Sequence, residues 1–355
     1  LARAQQYANA LTAESNVIAV KMYRELLESD NSNPLFKLGL TQTLLYGVAE
    51  FNSDPRVLEE AESLSAELIE LNQFQPQYLW LRGFYYETAK QMQLALDTYE
   101  AALAQSPDDP QIALSLANLY AEKGRLFEAM QLNVKPSIRG ESRQLRQIAR
   151  LLYLTDQTEL ARDWLNASLQ LAPNDASASF ELAKFLMVND RPTEAMEVIT
   201  EFHQSAKGNA ESHLLAFFLQ LYFEETNLAE TALIAAEAAQ PESVQVLAWR
   251  QWFNKQQAKP LSFIQVGVTK TDWPTSLVAG CVQAMANDNT QEALLLLTRA
   301  LRLGYLDYKY ILHMPAFIPL QDNPMFNEIL LLMQQRQTEA KRHIAAIQIP
   351  ELGNR

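Results

Sequence analysis

The clearest pattern along the chain is a pair of amphipathic helices that occurs again and again. In residues 76–109 the small and aromatic positions recur at helical spacing, and Pro107 ends the second helix. A glycine inside a helix is about 1 kcal/mol less favourable than alanine, so Gly83 needs a packing reason. We expect close approach of the second helix, with Ala95 as its small surface and Tyr99 filling space between neighbouring pairs.

Alanine recurs in the same setting through most of the chain, with steps of 42, 34, 34, 32, 34, 34 and 64 residues. The series is Ala19, Ala61, Ala95, Ala129, Ala161, Ala195, Ala229 and Ala293. Four residues after these alanines the side chain is mostly large and apolar. A pair of this kind cannot bury its apolar face alone, so the repetition predicts stacked pairs.

The pattern resembles the tetratricopeptide repeat, W-x2-L-G-x2-Y then A-x3-F then P over about 34 residues. The resemblance covers about residues 1–243 and, less closely, 274–307. It implies an all-α fold, a right-handed superhelical solenoid of about eight helix pairs with an irregular C-terminal cap. The function it implies is the binding of a partner protein or peptide in the concave groove, without catalysis.

The repeat register divides the chain into an array over 1–257, a linker, and a C-terminal part. The expected pairs occupy about 1–33, 34–75, 76–109, 110–141, 142–175, 176–209 and 210–243, and a lone helix without a regular partner follows at 244–257. We expect an irregular linker over 258–275, a last pair with a capping segment over 276–345, and a tail over 346–355.

Two pairs depart from the register. The pair over 34–75 is longer than the others, and the excess is expected in a polar loop near Gly47 to Arg56. In the pair over 110–141, Pro136 stands where a packing residue belongs. Proline removes a helical hydrogen bond and clashes with the preceding turn, so the second helix should end near Asn133.

Composition and charge narrow the partners. The net charge is −13, which argues against nucleic acid as the main partner. No apolar run reaches the roughly 18 residues of a membrane span. The chain begins LARAQQYANA, without methionine or signal peptide, so we expect a fragment or a processed product. The compartment stays open between cytoplasm and periplasm, and self-association stays open as well.

Nothing in the sequence favours an enzyme, a cofactor or a metal site. Cys281 falls where other pairs have a small packing residue, and such thiols are usually inert. The four histidines lack the paired spacing of metal ligands, and no phosphate-binding or nucleophile motif occurs.

In tetratricopeptide arrays the first helix of each pair lines the groove. Carried over by register, the resemblance gives as candidate groove residues Trp80, Phe84, Asn118, Arg143, Arg146, Arg150, Phe180, Lys184 and Phe218. The three arginines share one helix face. Residues 135–150 carry five basic side chains and one acidic side chain, so an acidic peptide with apolar anchors is the expected ligand, although a basic stripe is often only a solvated face.

Chaperone-binding members of the family hold a terminal carboxylate with a lysine, asparagine and arginine clamp. Asn118 and Arg143 stand at matching positions, but Leu114 and Gln147 replace the lysine and an arginine. A looser site for a carboxylate-bearing segment remains, using the planar fork of arginine.

The C-terminal motif P-x-F-x-P-L-x-x-x-P-x-F, over Pro315 to Phe326, supports a second hypothesis. Together with repeats ending in SPDD and APND, it resembles bacterial signalling proteins in which the array follows a winged-helix domain with a membrane span (ToxR-type, cadaverine-operon-activator-type regulators), or an adenylate cyclase domain. The chain would then be the sensory or regulatory region of a larger protein.

Overall fold

The computed structural model describes residues 1–10, 12–51, 53–138, 140–205, 208–259 and 271–352. Throughout these ranges the only regular structure is helical, and the helices pack in adjacent pairs, which confirms the expected fold class. The chain divides into two compact units, residues 1–116 and 117–355. We call them unit 1 and unit 2 and describe each by itself.

Unit 1 contains three complete helix pairs and the beginning of a fourth. Its helices are α1 (Ala2–Asn9), α2 (Ala13–Ser29), α3 (Pro34–Glu50), α4 (Val57–Leu71), α5 (Pro76–Thr88) and α6 (Met92–Gln105). Helix α7 (Pro110–Glu122) follows, and the division between the units falls inside it.

Unit 2 continues the paired pattern and ends in a different arrangement. The paired helices are α8 (Leu126–Asn133), α9 (Ser142–Leu154), α10 (Thr158–Leu171), α11 (Ala176–Met187), α12 (Pro192–Ser205), α13 (Ala210–Tyr222), α14 (Thr226–Ala239), α15 (Val244–Gln256), α16 (Pro274–Ala286) and α17 (Thr290–Leu303). The end is formed by α18 (Tyr308–His313), a 3-10 helix over Pro315–Leu320 and α19 (Pro324–Ile344).

Polar side chains set the helix starts. Asn33, Asp109 and Asp175 each accept a backbone N–H of the first turn at 3.0–3.1 Å. Such caps satisfy donors that the helix itself leaves without a partner. Proline then opens α3, α5 and α7, a position where its missing N–H is harmless.

The alanine series lies in the core. Each of its eight members is at most 1% exposed. A side chain no larger than a methyl group lets the two helices of a pair approach, and larger residues one turn later fill the space beside them. This part of the repeat interpretation is confirmed.

The turn between the two helices of a pair also repeats. From α5 onward, one residue in each of seven such turns has a positive φ between 50° and 68°, namely Lys90, Gly124, Asp156, Asp190, Glu224, Ala258 and Asp288. These positions are 34, 32, 34, 34, 34 and 30 residues apart. Most are not glycine, so the turn itself does not demand one, although left-handed backbone costs an L-residue about 1 kcal/mol.

Gly83 has a different packing reason from the one expected. A Cβ atom there would lie 2.5 Å from the Tyr99 ring. Tyr99 therefore fills space within its own pair, over Gly83, and its hydroxyl donates to Glu87 Oε2 at 2.8 Å. The aromatic ring, rather than a direct approach of the helix backbones, requires the glycine.

The extra length of the 34–75 pair is only partly a loop. Helix α3 has 17 residues against 13 in α5. It runs through Gly47 to Glu50, so part of the segment expected as loop is helical. Asn16, on the buried side of α2, donates its side-chain amide to Thr43 O within α3 at 2.9 Å.

The effect of Pro136 is confirmed. Helix α8 has 8 residues and ends at Asn133. The expected loop after it is not wholly irregular, because Pro136–Ile138 form a short 3-10 helix. Arg139 lies outside the described residues.

The expectation that the helix at 244–257 has no regular partner is wrong. Helix α15 packs against α16, and Gln283 Nε2 donates to Gln251 Oε1 at 2.9 Å between them. The interpretation of 258–275 as a linker falls largely on residues 260–270, which lie outside the described residues.

The C-terminal motif of proline and phenylalanine is a packing motif. Phe317 and Phe326 are at most 1% exposed and their rings stack 6.3 Å apart. The 3-10 helix and α19 pack against α16 and α17 as a cap would, and α19 also contacts α8. The segment therefore does more than cover the last pair.

Two histidines meet between α12 and α13. The rings of His203 and His213 are 4.5 Å apart, and His203 Nε2 lies 3.0 Å from the Ser212 hydroxyl. Burial lowers the pKa of both rings, and the neighbouring His203 adds to this effect at His213, whose pKa falls to about 4. The contact therefore favours neutral imidazoles.

We expect Ala161→Leu to destabilise the chain by about 1–3 kcal/mol, because the fully buried alanine leaves no room for a larger side chain. Ala238→Leu is the matched control on an exposed helical position of α14. Urea unfolding of both variants measures the difference. Equal stability of the two would show that Ala161 does not face a neighbouring helix.

We expect stability to fall as the pH drops from about 6.5 to about 4. In that window the unfolded chain binds a proton at His213 that the folded chain does not bind. His213→Gln should flatten the dependence of the unfolding free energy on pH, whereas His313→Gln, at an exposed position, should not. An unchanged slope in the His213 variant would contradict this assignment.

Candidate functional site

The candidate groove residues fall into both units. Trp80 and Phe84 belong to unit 1, and the others belong to unit 2.

In unit 1 the two aromatic residues are part of a ring cluster. Phe84 stacks on Trp80 at 5.5 Å and meets Tyr46 edge-on at 5.1 Å. Trp80 is 5% exposed and its indole N–H donates to Ser115 Oγ at 3.1 Å. Trp80 is thus a buried support, while Phe84 and Tyr46 are half-buried and reach the surface.

In unit 2 one side of the first helices is covered by residues 304–313 of the same chain. We call residues 304–313 the docked segment, and the side of α7, α9, α11 and α13 that it covers the first-helix face. Asp307 is the central contact: Tyr153 Oη donates to its Oδ1 at 2.5 Å, and Lys184 Nζ lies 3.2 Å from its Oδ2. Oδ1 also accepts the Tyr310 N–H at 3.2 Å and so caps α18.

The basic residues beneath Asp307 are already paired. Lys184 Nζ lies 2.8 Å from Glu181 Oε2, and Arg150 Nη2 lies 2.6 Å from Glu122 Oε1. Arg150 Nε is 3.9 Å from Glu181. We call these four residues with Asp307 the ion-pair cluster.

Two members of the ion-pair cluster, Lys184 and Glu181, have pKa values set by the balance of burial and neighbouring charges. Burial by itself lowers the pKa of Lys184, but the carboxylates of Glu181 and Asp307 outweigh that effect and raise it above its usual value. Burial raises the pKa of the Glu181 carboxyl, and Lys184 and Arg150 outweigh it in the opposite direction. Opposite charges at these distances in a low-dielectric site favour the ionised forms of both partners.

Two glycines allow the docked segment to reach α7. Gly124 and Gly304 have φ values of 68° and 113°. A Cβ on Gly304 would lie 2.1 Å from the backbone carbon of Lys123, and one on Gly124 would lie 2.8 Å from Gly304 O. At Gly124 the repeated turn tolerates other residues, so close backbone contact is the reason for glycine at this position.

The rest of the docked segment is held along its length. The Tyr310 ring lies 6.3 Å from Phe218, and Lys309 Nζ lies 2.8 Å from Asp156 Oδ1. Behind it, Gln337 Nε2 of α19 donates to Leu306 O at 2.7 Å. Between α7, α9 and the segment the free space is about 20 Å³, enough for a single water molecule.

The other candidate residues of unit 2 keep some exposure. Asn118, Arg143, Arg146 and Phe180 are half-buried. Arg146 Nε lies 3.6 Å from Asp175 Oδ2. The local excess of positive charge expected from residues 135–150 is therefore reduced by carboxylates that other helices bring to it.

Sequence reasoning missed the residues that occupy the face. Asp307 and Tyr153 are 154 residues apart, and no repeat register relates them. One feature of the sequence indicated this contact. Gly124 stands at a turn position where the neighbouring helix pairs have lysine, aspartate or glutamate.

Other chemistry is not built into the described ranges. They contain no group of three or more histidine, cysteine, aspartate or glutamate side chains arranged to hold a metal ion. Cys281 is fully buried, where burial raises the pKa of its thiol, and its Sγ donates to Leu277 O at 3.1 Å. Among the helices that the structure describes, none is long and apolar enough to cross a membrane.

Comparison with known proteins agrees with this architecture. A family model described as tetratricopeptide repeat matches residues 88–133. No curated protein matches the chain significantly.

Among solved structures, the human IFIT1 dimer with PPP-AAAA is similar with a TM-score of 0.56 and 17% identity, over 82% of this chain and 69% of that one. The Cut9 and Hcn1 hetero-tetramer of the APC/C is similar with a TM-score of 0.55 and 15% identity, over 81% of this chain and 52% of that one. The chain thus spans about half the length of the latter. At these identities the likeness concerns the fold, which is that of a tetratricopeptide-repeat solenoid.

We expect Lys184→Met to destabilise the chain by about 3 kcal/mol, because it leaves the carboxylates of Glu181 and Asp307 without their shared cation. Lys21→Met is the control at a side chain that is 78% exposed, and should change stability by less than about 0.5 kcal/mol.

Adding Asp307→Asn should recover part of the loss, because coupled residues are not additive. Additive losses in the double variant would show that Lys184 and Asp307 do not interact.

Proposed function

We propose that this chain is a non-enzymatic scaffold that binds a partner protein or peptide through the first helices of its repeats. The observation that carries the proposal is the ring cluster of unit 1. Phe84 and Tyr46 reach the surface on a rigid support of Trp80 and Ser115. Half-exposed aromatic side chains on a rigid surface are the type that most often dominates binding energy.

In unit 2 the proposal assigns partner contact to Asn118, Arg143, Arg146 and Phe180. These side chains remain partly exposed beside the docked segment. The docked segment already contacts Lys184 and Phe218 and lies over the cavity that Arg150 lines. These three residues therefore contact a partner only when the segment moves away from them. An acidic partner with apolar anchors fits this set, since arginine pairs well with carboxylates.

The alternative, a sensory or regulatory region of a bacterial membrane-bound winged-helix regulator or an adenylate cyclase, has less support. Its C-terminal motif is accounted for by the packing of Phe317 and Phe326. A packing motif of this kind serves a scaffold and a sensory region equally well.

The test selects peptides from a random display library against the whole chain and measures the affinity of the best binders. Phe84→Ala should weaken them at least about tenfold, which corresponds to about 1.4 kcal/mol. Phe74→Ala is the matched control, because Phe74 is 64% exposed in the same unit and lies outside the proposed surface.

A second variant tests unit 2. Arg143→Gln with Arg146→Gln should abolish binding of acidic peptides and lower the melting temperature only slightly, by loss of the contact between Arg146 and Asp175. Raising the salt concentration should weaken the same peptides. If no peptide is enriched, or if every variant binds like the parent, this surface is not a binding site.

A further inference from the structure

The docked segment is bound in the manner of a peptide ligand. It offers one carboxylate, Asp307, between two largely buried aromatic side chains, Tyr305 and Tyr310. The first-helix face supplies a cation and a hydroxyl to the carboxylate and an aromatic ring to Tyr310. Tyr305 is 9% exposed and lies beside the cavity lined by Arg150 and Leu154.

We propose that residues 304–313 are an internal occupant of the first-helix face of unit 2, and that a partner segment with a carboxylate between two aromatic side chains binds there in their place. The proposal rests on the scaffold function and deepens it, because it names the chemistry that this face selects and the contact that holds it closed.

Recognition of the carboxylate depends on short-range contacts. When Asp307 is absent, the Tyr153 hydroxyl loses its acceptor and Lys184 keeps only Glu181. A buried donor without an acceptor is unfavourable, so the face favours any segment that restores a carboxylate at that point. Arg150 and Lys184 are matched in number by Glu122 and Glu181, so long-range attraction contributes little and salt should affect this site weakly.

The aromatic positions add selectivity. Lys184 Nζ lies 5.6 Å from the Tyr310 ring centre and 5.4 Å from the Tyr153 ring centre. A cation between aromatic faces is attracted by both, and the ring of the incoming segment completes this arrangement. A segment with a carboxylate but without the aromatic residue three positions later would lose the contact with Phe218 as well.

Gly304 offers a way to open the face without changing it. Any side chain at this position meets the backbone of Lys123 at 2.1 Å, where no flexible group can move aside. Gly304→Val should therefore release the docked segment while Tyr153, Lys184 and Phe218 stay as they are. A separate peptide copying residues 303–313 keeps its glycine and can enter the vacated face.

The experiment measures fluorescence anisotropy of that labelled peptide with the whole chain, as wild type and as Gly304→Val. We expect the variant to bind at least tenfold more tightly than the wild type, because the wild type is competent only in the fraction of molecules whose own segment has left. A peptide with asparagine in place of its aspartate should bind the variant at least tenfold more weakly.

A second variant covers the case in which Gly304→Val does not fold. Asp307→Ser with Tyr310→Ser removes the two anchoring side chains and leaves the backbone contact of the glycines. Circular dichroism and a cooperative melt establish which variant is folded. A folded variant that does not bind the peptide overturns the proposal, as does equal binding of the asparagine peptide or equal binding by the wild type.

This outcome is separable from the test of the proposed function. That test concerns foreign peptides and the wild-type surface around Phe84 and Arg143, whereas this one concerns the chain's own sequence and the opened face. If foreign peptides fail but the copied segment binds the opened variant, the general surface is wrong and the internal occupant stands.

Discussion

The close approach of two helices at a methyl-sized side chain is the constraint on which every pair of this chain depends. Each alanine of the series is buried in both units, so in every regular pair a small side chain faces the other helix. This contact positions the first helices, and these carry the half-exposed aromatic and basic side chains. The repeat thus fixes which positions can contact a partner, but it does not fix the residue types at those positions.

The regular part of the fold could be predicted because its information is local. Ala161 and Ala195 are recognised by spacing alone, and Pro136 predicts the end of α8 through a backbone clash with the preceding turn. The expectation of an unpartnered α15 failed for the opposite reason. Residues 258–275 join α15 to α16 and their sequence has no helical periodicity, so the sequence pattern does not predict the contact between the two helices.

The candidate site shows the same limit more sharply. Arg150 and Lys184, which the register places in the groove, both approach Glu181. The register could not show that Asp307 would lie against Lys184, because a contact between residues so far apart in sequence leaves no periodic trace. Gly124 was the one local indication of this contact. Its turn does not require glycine, and the missing Cβ makes room for Gly304.

Charge counting along the sequence overstates the positive charge of this region for a related physical reason. The excess of basic residues in 135–150 is real in the chain, yet Glu122, Glu181 and Asp175 come to Arg150 and Arg146 from other helices. In a stacked array the potential at a first helix is set by three neighbouring pairs together, so a local run of charge overstates it. What remains at Lys184 is a fixed geometry of one cation and one hydroxyl around a carboxylate. For the partner segment that we propose, such a geometry would select by the position of the charge relative to the aromatic groups, more than by the amount of charge.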